Sequence, residues 1–211
     1  MNKYTHVIWD WNGTLLDDLE ISIKSVNLLL KKRKLKTMDS IEEYHRVFGF
    51  PVIDYYKKIG FDFEKEPFEI IAEEFIAAYN SCESRMKLHS GAAEILDSFR
   101  KRKMNQVILS ASEKNNLLRQ VEGLGIKDYF SEIMGIENIY AGGKLEIGKE
   151  YMKRIPKGKT VFIGDSTHDF EVALGMGCDC ILIAGGHQSK DSLKSCNALV
   201  LDNISQLNEY I

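Results

Sequence analysis

The stretch Val7-Ile8-Trp9-Asp10-Trp11-Asn12-Gly13-Thr14-Leu15 sets the reading of this chain. Three apolar residues in a row, rather than an alternation, suit a strand covered on both faces. A carboxylate follows at once, and Gly13 permits a sharp turn beside it. Similar runs recur at Val107-Ile108-Leu109, Val161-Phe162-Ile163 and Ile181-Leu182-Ile183, with a weaker one at Ala198-Leu199-Val200-Leu201. The segments between them have helical spacing. Ser90 reads as the N-cap of a helix from Gly91 to about Lys103, with Ile95, Leu96 and Phe99 on one face. Ser112 reads as the cap of the next, with Leu117, Leu118 and Val121 inward and Gly123 or Gly125 ending it. Residues 146–154 and 170–176 also read as helices. Strand–helix alternation predicts an α/β fold with a parallel sheet covered by helices.

The interval between Leu15 and Ser90 breaks the rhythm. It contains no comparable apolar run, and Leu19–Leu35, Ser40–Phe48, Val52–Ile59 and Pro67–Tyr79 read as helices. This predicts a helical insertion over residues 17–86, with residues 1–16 and 87–211 forming the α/β core.

The bulk numbers narrow the function classes. The chain has 211 residues, 44% hydrophobic and 28% charged, enough apolar material for a packed core. A net charge of −3 offers no electrostatic footprint for nucleic acid, and Lys31-Lys32-Arg33-Lys34 reads as a solvated helix end. No apolar segment approaches the ~18–20 residues of a membrane span. The N-terminal residues from Met1 to His6 lack the features of a signal peptide, so a cytoplasmic protein without a membrane partner is expected. Cys82, Cys178, Cys180 and Cys196 have neither disulfide-framework nor zinc spacing and read as packing residues.

The chemistry collects after the strands. The first ends in Asp10, the second in Ser110, the third in Gly164-Asp165. In a parallel sheet the carboxyl ends share one edge, where ligands bind. Two carboxylates meeting there repel unless a cation lies between them, and a hard, oxygen-seeking ion such as Mg2+ suits the place. Ser110 and a lysine suit the oxygens of a phosphate. Together they point to metal-assisted phosphoryl transfer.

Four motifs in order then resemble the haloacid dehalogenase-like superfamily. Asp10-Trp11-Asn12-Gly13-Thr14-Leu15 is similar to its first motif, Asp-x-Asp-Gly-Thr, and Ser110 to its second. Lys144, in Gly142-Gly143-Lys144, resembles the third-motif lysine, although Leu145 stands where proline is usual and Lys149 is nearby. Gly164-Asp165-Ser166-Thr167-His168-Asp169 resembles the acidic fourth motif. The insertion after the first motif resembles that of the helical-cap, phosphoglycolate-phosphatase-like subgroup, which implies a Rossmann-like core. The resemblance implies Asp10 as nucleophile, and Mg2+ held by Asp10, Asp165 and the main-chain oxygen of Asn12. It further implies Asp169 supporting the metal through water or orienting Lys144. Ser110, Lys144 and backbone groups about Gly13, Thr14 and Ala111 would face the phosphoryl group. A small phosphorylated metabolite is the implied substrate, with Arg46 of the cap as the candidate partner for a second anionic group; monomer or homodimer is left open. His168 reads as a loop residue.

Asn12 departs from the pattern. The family's Asp there protonates the leaving group and activates water, which an amide cannot do. A phosphatase favouring acyl or aryl phosphates, a phospho-ligand-binding or regulatory protein, and a phosphotransferase or mutase therefore stay open. On the sequence alone, Asn12→Asp is expected to raise turnover most for alkyl phosphates.

Overall fold

A computed structural model of the protein describes residues 3–136, 143–155 and 159–211. In chain order the elements are β1 (His6–Trp9), β2 (Leu16–Asp17), α1 (Leu19–Lys32), α2 (Ile41–Val47), α3 (Val52–Lys58), α4 (Phe68–Asn80), β3 (Lys87–Leu88), α5 (Ala92–Lys101), β4 (Asn105–Glu113) and α6 (Lys114–Gly123). There follow β5 (Glu132–Ile136), α7 (Lys144–Arg154), β6 (Thr160–Gly164), α8 (Thr167–Met176), β7 (Asp179–Ile183), α9 (Lys190–Leu193), β8 (Leu199–Leu201) and α10 (Leu207–Tyr210).

Six strands form one sheet in the order β5-β4-β1-β6-β7-β8, and every pairing in it is parallel. The expected α/β architecture is present, and the chain's first strand is central. Trp9 pairs with Ile108 on one side and Ile163 on the other, so Asp10 leaves the sheet between β4 and β6. Neighbouring residues of each strand face opposite layers. Trp9, Ile108, Val161 and Ile163 pack with Leu96 and Phe99 of α5 and Leu117 and Val121 of α6. Ile8, Val107, Leu109 and Phe162 pack with Tyr151 of α7 and Val172, Ala173 and Met176 of α8. Two covered faces explain the unbroken apolar runs.

Helices α1–α4 gather around a separate apolar cluster that includes Val26, Leu30, Tyr44, Tyr55, Tyr56 and Ile71. Arg33 ties this bundle by a two-pronged contact with Glu66, at 2.6 and 2.7 Å, and a 2.9 Å contact with Glu74. Where the chain leaves and rejoins the α/β core, β2 and β3 pair antiparallel, Leu16 with Leu88 and Asp17 with Lys87. No helix among the described residues is long and apolar enough to cross a membrane.

Three local expectations need correcting. Strand β4 does not stop at Ser110: it runs to Glu113, with a register shift between Leu109 and Glu113. Glu113, not Ser112, therefore caps α6, accepting from the backbone N–H groups of Asn115 and Asn116 at 2.9 Å. Helix α5 starts from Gly91, not Ser90, because the residue there has φ +86 and a Cβ would lie 2.1 Å from Ser205 Oγ. The sixth strand, β5, is not foreseen by the apolar runs. It is an edge strand of mixed composition, Glu-Ile-Met-Gly-Ile, whose Gly135 lets the backbone of Ser112 and Lys114 approach.

Candidate active site

Asp10 follows β1, and its backbone N–H donates to Ile163 O at 2.8 Å, which holds it against the end of β6. Asp165 follows β6, and Asp169 lies in the first turn of α8. One carboxylate oxygen from each of Asp10, Asp165 and Asp169 lies within 4.8 Å of the others, and all three residues are buried. Lys144, the first residue of α7, reaches in from the other side. Its Nζ donates to Asp10 Oδ1 at 2.5 Å and to Asp169 Oδ1 at 2.6 Å. Lys149 instead faces Glu146 and is half exposed, so Lys144 is the lysine delivered here. Gly142, before it, lies outside the described residues.

Asp169 is the most heavily hydrogen-bonded of the three carboxylates. Its Oδ2 accepts from the backbone N–H groups of Asp165 and Ser166, at 3.1 and 3.0 Å, and from Ser166 Oγ at 2.7 Å in a capping box. Its geometry suits orienting Lys144 rather than direct metal binding. Thr14 Oγ1 donates to Asp165 Oδ1 at 3.1 Å and reaches Asp10 Oδ2 at 3.4 Å, bridging the two carboxylates. Ser110 is buried and its hydroxyl accepts from Ser112 N–H at 3.0 Å, with Ala111 beside it on β4. Gly13 has φ +73, and a Cβ there would sit 2.3 Å from Asp165 Oδ2. Its N–H is not turned to a ligand, as the sequence suggested, but donates to Asp18 Oδ1 at 2.8 Å.

The electrostatics express three carboxylates sharing one ammonium. Burial pushes Asp10 up to about 8, with repulsion from Asp169 adding to it and Lys144 opposing. Burial also lifts Asp165 to about 6, against the pull of His187. Asp169 is buried too, but Lys144 and the Ser166 hydrogen bond outweigh burial and hold it below its ordinary range. Lys144 is held well above the usual ammonium range by Asp10 and Asp169 in spite of burial. The donor set is all oxygen, and its repulsion is only partly offset, so these residues fit a hard divalent cation such as magnesium.

The family follows from the span of the match. A model described as haloacid dehalogenase-like hydrolase matches residues 7–183, from β1 to the end of β7. The chain belongs to this family. Within it, the chain is 22% identical over 212 residues to a phosphoglycolate phosphatase of Pseudomonas fluorescens, covering 95% of this chain and 77% of that protein. The fold is shared with a crystal structure of a predicted phosphatase from Clostridium acetobutylicum, with a TM-score of 0.79 and 21% identity over 99% and 98% of the two chains. It is shared equally with protein tyrosine kinase A of Mycobacterium tuberculosis, with a TM-score of 0.82 and 20% identity over 100% and 99%. One haloacid dehalogenase-like scaffold thus carries differently named activities, and function has to be argued from the site.

Against the expected site, Arg46 falls elsewhere, its neighbour Tyr44 takes the inward place, and His187 is not foreseen. Arg46 is exposed, 71% by side chain, and lies 3.9 Å from Glu43 on its own helix; on α2 it is the face carrying Tyr44 that turns inward. Tyr44 OH lies 2.9 Å from His187 Nδ1, and His45 Nε2 lies 2.9 Å from Gly186 O. Phe50 stacks on His168 with centroids 4.7 Å apart. His187 itself is the main omission. Its backbone N–H donates to Asp165 Oδ2 at 2.6 Å and its Nε2 lies 3.2 Å from Asp18 Oδ1. Asp18 and Asp165 raise its imidazole to about 9, although burial alone would lower it. The signal was available: Ile181-Leu182-Ile183 also ends at the ligand edge, and Ala184-Gly185-Gly186-His187 follows it as Asp10 follows β1.

Proposed function

We propose that this protein is a magnesium-dependent phosphatase of small phosphorylated metabolites, working through an aspartyl-phosphate on Asp10. The observation that carries the reading is Asp10 itself: a buried carboxylate at the sheet's ligand edge, hydrogen-bonded by Lys144 and beside Asp165. In a pure binding site a carboxylate would repel phosphate; as a nucleophile it has a reason to be there.

In this reading Asp10 attacks phosphorus in line, and an Asp10 oxygen–phosphorus bond forms as the bond to the leaving oxygen breaks. Water then cleaves the acyl phosphate, returning Asp10 and inorganic phosphate. Lys144 favours the ionised form of Asp10 against its burial and pairs with phosphoryl oxygens, and Asp169 fixes Lys144. Ser110 and the N–H of Ala111 hold the remaining phosphoryl oxygens; the N–H of Thr14, expected to join them, donates to Trp11 O at 3.3 Å instead. Magnesium, bound by Asp10, Asp165 and the main-chain oxygen of Asn12, would neutralise charge developing on the phosphoryl group. Residues 17–86 act as a cap that closes over residues 1–16 and 87–211, bringing Tyr44, Phe48 and Phe50 against the loop after β7 and His168. The substrate is then a cytoplasmic metabolite, not a nucleic acid or a membrane lipid; phosphoglycolate, which names the Pseudomonas relative, is an alkyl ester and serves as the comparison for acyl and aryl phosphates.

Asn12 carries no proton to a leaving oxygen, so phosphates whose leaving group needs none are the best substrates. General acid–base help is worth about 10²–10⁴-fold. The test is phosphate release from p-nitrophenyl phosphate with and without magnesium, in the wild type and in Asp10→Asn. Metal-dependent release that vanishes in the variant supports the reading. A silent metabolite screen, with magnesium and phosphate still raising the melting temperature, would favour a phospho-ligand-binding protein instead.

A further inference from the structure

We propose that Asp18 is a positioning residue of the turn that carries the nucleophile, and that its acceptor character is the reason position 12 holds an amide. The proposal rests on the phosphatase reading only for its kinetic consequence. Asp18 stands just before α1 and is 1% exposed. Its Oδ1 accepts from Gly13 N–H at 2.8 Å and lies 3.2 Å from His187 Nε2. Its Oδ2 accepts from Asn12 Nδ2 at 2.8 Å, Tyr79 OH at 2.6 Å and Ser22 Oγ at 3.4 Å. Five donors from the first turn, α1, α4 and the loop after β7 converge on one carboxylate.

Asn12 completes the set from the other side. Its Nδ2 donates to Asp18 and Tyr79, both at 2.8 Å, while its Oδ1 accepts from Ser112 Oγ at 2.7 Å. Position 12 must therefore donate towards Asp18 and accept from Ser112, which a neutral amide does and an ionised carboxylate cannot. With Asn12→Asp, two carboxylate oxygens would face each other across 2.8 Å in a buried site, where the single Tyr79 hydroxyl proton cannot serve both and their repulsion is relieved only by taking up a proton. The expectation drawn from the sequence, that this single change raises turnover, thus overlooks Asp18. With Asp18→Asn added, the polarity reverses: the new amide donates to the carboxyl at position 12, still accepts from Gly13 N–H, and the Tyr79 hydroxyl rotates to serve both. Positions 12 and 18 form one donor–acceptor unit whose halves exchange only together.

Four proteins test this: wild type, Asn12→Asp, Asp18→Asn and the double variant. In metal-free buffer at pH 8, Asn12→Asp should melt roughly 6–10 °C below wild type, or lose its cooperative transition. The double variant should recover at least half of that loss. With magnesium, the ratio of turnover on an alkyl phosphate to that on p-nitrophenyl phosphate should stay flat in Asn12→Asp and rise about tenfold or more in the double variant. A double variant that melts no higher than Asn12→Asp overturns the proposal, as does a gain in the single variant equal to that in the double. If the wild type releases phosphate from no substrate, the phosphatase reading falls while the melting cycle still decides this one.

Discussion

Lys144 is the one cation hydrogen-bonded to Asp10 among the described contacts, and it serves Asp169 as well. Removing it with Lys144→Met leaves three buried carboxylates without their ammonium. We expect turnover to fall by about 10²-fold or more and the metal-free protein to lose about 3 kcal/mol. Lys149→Met, on the same helix but half exposed, should change stability by less than about 0.5 kcal/mol. Urea unfolding and p-nitrophenyl phosphate kinetics on both variants make the check; equal effects would show that the two lysines were wrongly told apart. His187 gives a pH test. Its imidazole is raised to about 9, from an ordinary 6.5, by Asp18 and Asp165 against burial. The charged form is favoured by folding, so its contribution is complete below pH 6.5 and is lost as pH rises through 9. Asp10, raised to about 8, also weakens the fold as pH rises towards that value, so the difference between proteins is what matters. His187→Gln should narrow its melting-temperature gap to wild type between pH 7 and 9.5; a constant gap would mean that the imidazole is not charged at pH 7.

The elements that deliver these side chains depend on close backbone contacts. Gly135 of β5 faces the end of β4, and a Cβ there would lie 2.7 Å from Ser112 O and 2.8 Å from Lys114 Cα. These are backbone atoms of the junction between β4 and α6, so they cannot yield as a side-chain tip would. Gly135→Ala should cost roughly 1–3 kcal/mol, read from denaturant unfolding. Because Ser112 donates to Asn12, the variant should also lose turnover, while Gly123→Ala, where a Cβ meets nothing within 4 Å, should be neutral or slightly stabilising. The same element shows why β5 escapes a reading of apolar runs. Strand β5 packs Ile133 on one layer and Met134 on the other, but Glu132 and the close-approach Gly135 interrupt it, and so it lacks the continuous Val/Ile signature of β1, β4 and β6. Ser112 misleads for a related reason: its hydroxyl looks like a helix cap, but the strand continues past it and the hydroxyl is spent on Asn12.

Across the whole molecule, α1–α4 and the turn before them meet the ligand edge of the sheet through Asp18 and a few aromatic and imidazole groups. Tyr44 meets His187, His45 meets Gly186, and Phe50 stacks on His168. Tyr44→Phe keeps the ring against Phe48 and Tyr55 and removes only the hydroxyl facing His187. A loss of about 1 kcal/mol is expected, with faster amide hydrogen exchange confined to α2 and the loop after β7. Faster exchange throughout the α1–α4 bundle would mean that Tyr44 serves the bundle's own packing instead.

Five of the six sheet strands, with Asp10 and Asp165 at the ends of two of them, are legible in the linear sequence because each is a local event, whereas Lys144 is legible only through the family resemblance. A strand covered on both faces must be apolar throughout, and a residue just past its carboxyl end reaches the ligand edge whatever the rest of the chain does. The partners of Asn12 are of another kind. Asp18 gathers Tyr79, 61 residues away, and His187, 169 residues away, into one buried polar cluster, and no periodicity marks residues that meet only when insert and core pack. Likewise Arg46 and Tyr44 stand two residues apart on one helix, and only the docking of α2 turned the tyrosine inward and left the arginine in solvent. Which side chains line up at a sheet edge is set by local pattern; which donor finds which acceptor is set by the packing of distant segments, because an unpaired polar group cannot be buried cheaply.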